Sequence, residues 1–180
     1  AEVFKHISTT KETLFVISPS LSIEEMKNVN NLATKLNANI SGYSPDTVDE
    51  TFGDDYLRDN DKATNRRALK EIGINEDEAS FKSSLDKASL VVVVDNNYFD
   101  TNLVLLEGKK VISLFSHKCP TIEKSDVALP IASFYEKSGT YINTDDIKQK
   151  VISKMKKDNT AETITSVIEH LKEMIGKGTL

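Results

Sequence analysis

The chain has 180 residues, a mass of 20.0 kDa and a formal charge of −5, from 28 Asp plus Glu against 23 Lys plus Arg. That length suits a single domain spanning residues 1–180, and 50 Leu, Ile, Val and Phe residues are too many for a charged chain that stays disordered. The acidic balance excludes nucleic acid as a partner, because a polyphosphate needs clustered cations. The lone Cys119 excludes an intramolecular disulfide and a cluster or zinc held by cysteines, so the chain reads as intracellular and reduced.

The longest aliphatic run, Leu90 to Val94, is far short of the roughly 20 residues that cross a bilayer, so no direct membrane insertion is expected. The opening residues AEVFKHISTTKE hold no apolar stretch of signal-peptide length. A start at Ala1 implies either a removed methionine or a piece of a longer protein.

In chain order, Thr13 to Ile17 (TLFVI) is apolar on both faces and reads as a buried strand ended by Ser18-Pro19-Ser20. Ser22 and Glu25 have capping-box spacing, and Met26, Val29, Leu32, Ala33 and Leu36 then recur at helical spacing to about Asn37. A short strand over Ala38 to Ile40 closes a βαβ unit. Residues Ser41 to Lys62 are rich in Gly, Pro, Asp and Asn without periodicity; a connection of this length in a compact domain tends to be functional or interfacial. A helix resumes at Thr64 and stops at Gly73, which suits the left-handed position after a helix end. A second spans Glu76 to Ala88, with Asn75 and Glu78 at capping spacing. Leu90 to Asp95 (LVVVVD) has the solid valine run of a central parallel strand.

Thr101 to Leu106 predicts a short helix closed by Gly108, Lys110 to Phe115 a strand, and Val127 to Leu129 a further brief strand stopped by Pro130. Ile147, Val151 and Met155, spaced by four, predict a helix from Asp146. Asn159 or Thr160 would cap a last helix bearing Ile164, Val167, Ile168, Leu171 and Ile175, ended by Gly176 and Gly178. About five strands alternating with five or six helices give an α/β fold, a three-layer αβα sandwich of Rossmann-like type with a mostly parallel sheet.

Motifs for chemistry are scarce. The turn after the first strand reads SPSLS, without the glycines that let a backbone approach a dinucleotide pyrophosphate, and there is no GxxxxGK[ST]. His117 and Cys119 have the spacing of a metal pair or of a thiolate beside a base, or are a loop histidine and a partly buried thiol; His6 and His170 sit in unrelated contexts. Asp54, Asp55, Asp59 and Asp61 lack the spacing of a Ca²⁺ loop and read as a solvated acidic loop. Arg66 and Arg67 either grip an anion or lie on an exposed helix face.

One segment is more specific. SDVALPIASFYEKSGTYINTDDIKQK, Ser125 to Lys150, resembles the [AS]DVVLP-x-[AS]-x-F-x-E-K-x-GT-x-x-N-T-E-G-R-x-Q signature of the molybdopterin oxidoreductase superfamily, with Asp126, Val127, Leu129, Pro130, Phe134, Glu136, Lys137, Gly139, Thr140, Asn143, Thr144 and Gln149 in register. Within that superfamily the segment most resembles the family of the large iron–sulfur subunit of NADH-quinone oxidoreductase, respiratory complex I. DDYLRDNDKATNRRALKEIGI and VISPSLSIEEMKNVNNLATKL are similar to upstream parts of the same family.

The resemblance implies a middle or carboxy-terminal piece of a larger subunit, acting as a scaffold or interaction domain rather than as an enzyme on its own. Its partners would be other subunits of a membrane-associated oxidoreductase, with the chain on the cytoplasmic side, at the inner face of the cell membrane. Iron–sulfur clusters would lie elsewhere in the parent subunit; no cofactor is expected in this chain, molybdopterin included. If any cofactor contact survives, the resemblance places it at Glu136, Lys137, Gly139, Thr140, Asn143, Thr144 and Gln149. A pterin-guanine-dinucleotide domain of a molybdenum enzyme such as a formate dehydrogenase, or a stand-alone nucleotide or metabolite binder, are the alternatives. The family's Glu-Gly-Arg is replaced by Asp145-Asp146-Ile147, so its glycine turn and its guanidinium are expected to be missing. Gly139 is expected at positive φ. The loop from Ser138 to Thr144 is expected to meet Asp95 to Asn97 and Ser116 to His117 at the carboxyl ends of the central strands.

Overall fold

A computed structural model describes residues 12–155 and 161–176. Five parallel strands, β1 (Thr13–Ile17), β2 (Asn39–Ser41), β3 (Leu90–Val94), β4 (Lys110–Phe115) and β5 (Val127–Pro130), form a sheet in the order β2-β1-β3-β4-β5. Val92 of β3 lies beside Phe15 on one side and Ile112 on the other, so the valine run is central, as its composition implies. Side chains alternate across the sheet. Phe15, Ile17, Leu90, Val92, Val94, Ile112 and Leu114 face one core, and Leu14, Val16, Val91, Val93, Val111 and Phe115 face the other.

The first core is covered by α1 (Ile23–Lys35), α2 (Arg66–Ile72) and α5 (Ile164–Gly176), whose Met26, Val29, Leu32, Leu69 and Ile168 are buried there. The second is covered by α3 (Glu78–Lys87), by 3-10 turns at Asn97–Asp100 and Leu103–Leu106, and by the single turn α4 (Pro120–Glu123). This is a mixed α/β sandwich with a parallel five-strand sheet between layers of helix and turn.

Local chemistry explains the boundaries. Ser22 caps α1 through a complete capping box: Glu25 N donates to Ser22 Oγ at 3.2 Å, and Ser22 N donates to Glu25 Oε2 at 2.9 Å. Gly73 ends α2 at φ 80° and Gly108 closes the second 3-10 turn at φ 73°. Helix α3 is capped by Asp77, which accepts from Ser80 N at 2.8 Å, and not by Asn75, whose side chain instead takes the Asp77 amide.

The region after β5 differs from expectation. Ile147, Val151 and Met155 do not lie on a helix: β6 (Gly139–Ile142) and β7 (Lys148–Val151) form an antiparallel hairpin. Ile147 and Met155 are exposed, so their spacing faced no core. The hairpin turn forms without a glycine. Asp146 takes φ 61° itself, while Asn143 Oδ1 accepts from the amides of Asp145 and Ile147; aspartate tolerates this region better than most residues. Asn159, Thr160, Gly178 and His6 lie outside the described residues. No helix among the described residues is long and apolar enough to cross a membrane.

Candidate functional site

In a sheet of this order, the chain leaves β1 toward β2 on one side and later returns to β3 on the other, and a crevice opens where the direction reverses. Its floor is fixed by backbone bonds from Ser18 N to Val94 O at 2.9 Å and from Asp95 N to Leu114 O at 2.8 Å. Asn96, fully buried, donates through Nδ2 to Ile17 O and Tyr43 O and accepts the Tyr98 amide, so one amide group pins three segments. A cleft of about 360 Å³ results, lined by Ser18, Ser20, Ser44, Asp95, Asn97 and His117 among others. Tyr43, Phe81, Tyr98 and Phe99 form an aromatic cluster beside it, with Tyr43 stacked on Phe81 at 4.7 Å between centroids.

Asp95 and Ser116 to His117 meet in this cleft as their positions after the strands imply. Asp95 adopts φ 51°, which turns its carboxylate to accept from Ser116 N (3.2 Å) and Ser116 Oγ (3.1 Å). His117 Nδ1 stands 3.5 Å from Ser116 Oγ and 3.9 Å from Asp95 Oδ1. The serine hydroxyl thus has a carboxylate acceptor and no well-placed imidazole, which is not the geometry of an activated nucleophile. Cys119 is no better placed, since burial pushes its thiol pKa up and Asp100 adds to the rise. Among the described residues no group of three or more His, Cys, Asp or Glu is placed to hold a metal ion.

The signature loop is elsewhere, which corrects the expectation that Ser138 to Thr144 closes the crevice. Lys137 is buried and its Nζ donates to Glu25 Oε1 (2.9 Å) and Oε2 (3.0 Å) on α1. Thr140 N and Oγ1 donate to the two oxygens of Glu24 at 2.8 and 2.6 Å. Burial raises the Glu24 pKa, but the Thr140 hydroxyl and amide outweigh it and hold the carboxyl below its ordinary value. Glu136 closes its own capping box with Ser133 and lines a groove of about 410 Å³ near His117 and Lys118. Asn143 and Thr144 border a third cleft of about 480 Å³ with Arg67 and Lys70 of α2, and Gln149 is exposed on β7.

Gly139 is not at positive φ. Its role is close approach, for a Cβ there would lie 2.4 Å from Ser22 Cβ and 2.9 Å from Ser22 Oγ. Gly139→Ala is therefore expected to cost about 1–3 kcal/mol through forced separation of the hairpin from α1. Thermal unfolding checks this, and a variant that melts like wild type would show that the hairpin is not seated on Ser22.

Sequence reasoning overlooked Asn65 as a buried polar anchor, and read Glu25 only as a cap partner and Asn96 only as part of the crevice stretch Asp95 to Asn97. Asn65 Nδ2 donates to Leu21 O at 2.6 Å and its Oδ1 accepts from Ile142 N at 2.7 Å, joining the start of α1 to β6. Polar residues flanked by apolar runs, as in LVVVVDNN, were the available signal. Beneath the hairpin, the Tyr141 hydroxyl is buried without a partner among the described residues, and burial, then Glu25 and Glu24, push its pKa strongly up.

Arg66 grips no anion from outside: its guanidinium bonds Asp61, Glu76, Thr47 and Ser44 O. Arg67 stays half exposed, 3.7 Å from Asp146. The acidic loop is ordered rather than merely solvated. Asp54 Oδ1 accepts the amides of Tyr56, Leu57 and Arg58, and Asp54 N donates to Arg58 O at 2.9 Å.

The Lys62 ammonium and the Thr51 hydroxyl and amide hold the Asp49 carboxyl down to about 2, and the Leu57 amide with the Arg58 guanidinium holds Asp54 well below the carboxylate range. A carboxyl with a depressed folded pKa lends stability above its unfolded pKa, near 3.9, and loses it as pH falls through the folded value. The protection of the Leu57 and Arg58 amides, taken as observed exchange against the intrinsic rate at each pH, is thus expected to hold from neutral pH through about pH 4 and to be lost only as pH falls through the depressed Asp54 value. Fast exchange already at neutral pH would show that these bonds do not hold the loop.

No curated protein matches this chain. Residues 109–162, from the start of β4 through the hairpin, match the family model of the molybdopterin oxidoreductases, and this match over under a third of the chain supports its relation to the molybdopterin oxidoreductase superfamily.

Proposed function

We propose that this chain is a non-catalytic scaffold and interaction domain of the large iron–sulfur subunit of an NADH-quinone oxidoreductase, held in the peripheral arm at the inner face of the membrane. There it would contact other subunits while electrons pass from NADH to quinone through iron–sulfur clusters outside this chain. The observation that carries the reading is where the signature residues spend their polar atoms: Glu136, Lys137, Thr140 and Asn143 bond Ser133, Glu25, Glu24 and their own turn. Residues used in this way fasten a hairpin to a helix.

The family match by itself would equally suit a pterin-guanine-dinucleotide domain, but the crevice residues do not fit that group. Asp46 and Asp95 are among its lining and oppose a pyrophosphate, and the lining includes no lysine or arginine among the described residues. The nearby Arg66 already meets Asp61 and Glu76. Two measurements test the proposal. A tagged form of the natural protein, isolated in mild detergent, is expected to bring iron–sulfur centres and NADH-to-quinone activity with it; isolation free of both would sink the assignment to that complex. Titration with a guanine nucleotide, followed by amide shifts at Asp95, Asn97 and Ser116, is expected to give no saturable response at micromolar ligand. Saturation there would restore the pterin-domain reading.

A further inference from the structure

Residues 46–62 carry seven carboxylates against Arg58 and Lys62, so this one segment accounts for the whole formal charge of −5, and acidic and basic residues balance over the rest of the chain. At its tip stand Tyr56 and Leu57, 90% and 94% exposed, the most exposed large hydrophobic residues of the described structure. Single exposed apolar side chains are ordinary; two adjacent ones held almost wholly in water at the apex of an ordered loop are not.

The apex is held out by its own bonds. Asp54 takes three consecutive amides, Asn60 Oδ1 accepts from Gly53 N at 2.8 Å, and Asp49 N donates to Asn60 O at 2.8 Å. Phe52 lies under both Arg58 and Lys62, at 5.5 and 5.1 Å from its ring centre. Glu50, Asp55 and Asp59 form no ion pair among the described residues, which leaves their charge facing solvent around the apex.

We propose that the loop over residues 49–61 is a preformed docking tooth, whose Tyr56 and Leu57 enter an apolar socket on a protein partner rimmed by lysine and arginine. The charge selects that class of partner: phosphates of nucleic acid and anionic lipid headgroups would be repelled by seven carboxylates, whereas a basic protein rim would be attracted and its encounter steered. Preformation matters because a loop already ordered by Asp54 gives up little conformational freedom when it seats. The inference deepens the reading of the chain as an interaction domain, and rests on it.

The test uses the full natural protein in its own cell, with a photo-crosslinking benzoylphenylalanine in place of Tyr56, or of Val104 as an exposed control position on the far core's covering turn. A protein adduct at position 56 and none at 104 is expected, and mass spectrometry identifies it. Titration of the purified partner should then show Leu57→Ala weakening binding by about tenfold or more. Asp55→Asn with Asp59→Asn should weaken it at low salt and not at high salt. Both sites are exposed, so an unchanged melting temperature verifies that the variants fold. Equal adducts at 56 and 104, no adduct at 56, an adduct to lipid, nucleic acid or a second copy, or unchanged binding by Leu57→Ala would each overturn the tooth. A basic partner outside any quinone-reducing complex would keep the tooth and remove the complex assignment, while co-isolation with that complex without an adduct at 56 would do the reverse.

Discussion

Val92→Asp is expected to destabilise the protein by at least about 3 kcal/mol, because it sets a carboxylate into a sheet position that is 3% exposed, between Phe15 and Ile112 and under the α1 face of the core. The core that Val92 joins is built of aliphatic and aromatic side chains, among them Phe15, Met26, Val29 and Ile112. For a chain of this size such a loss lowers the melting temperature by roughly 6–12 °C. Val104→Asp, at a site 67% exposed, should move it hardly at all. A Val92→Asp protein that melts with wild type would mean that β3 does not lie at the centre of the sheet.

Lys137→Ala is expected to be about as severe, roughly 3–5 kcal/mol, for a different reason. It removes the cation from a buried pair and leaves Glu25, itself 4% exposed, with the Ser22 amide and hydroxyl as its remaining hydrogen-bond donors among the described residues. The same effect predicts its own rescue. Glu25→Gln combined with Lys137→Met removes both charges, keeps an acceptor for the Ser22 cap and retains most of the buried volume, so it should recover more than half of the lost stability. Chemical denaturation of the single and double variants reads the coupling; equal destabilisation by both would show that the cost comes from lost packing and not from the stranded charge.

What could be read from the sequence and what could not divide along the reach of the interactions. The strands β1 and β3 were legible because TLFVI and LVVVV leave no polar face to present to water. The cap of α1 was legible because both of its arms span only three residues. By contrast, Lys137 meets Glu25 across 112 positions and Thr140 meets Glu24 across 116, and no local spacing announces either contact. Gly139 was assigned a backbone role from its residue type, whereas its neighbour in space, Ser22, is what requires it.

The helix expected from Asp146 failed in an instructive way. Spacing of four among Ile147, Val151 and Met155 looks amphipathic, but NTDD ahead of it is turn chemistry and GTYI before that has a strand's composition. Of the candidate site, the meeting of Asp95 with Ser116 and His117 followed from their places after parallel strands. The position of the signature loop did not, because it is set by long-range pairs.

The flank of α1 that receives Lys137, Thr140 and α5 has a consequence for how the protein is made. A ribosome releases β1, α1 and the rest of the parallel sheet before the segments that cover this flank, for Ile142 and Ile168 complete the same core as Met26 and Val29. Until α5 emerges, the nascent chain therefore carries a bare apolar helix face, and until Lys137 emerges an unmatched Glu25. The half-made domain is a natural client for a chaperone, and truncation within α5 should divert it to proteolysis rather than yield a smaller working unit.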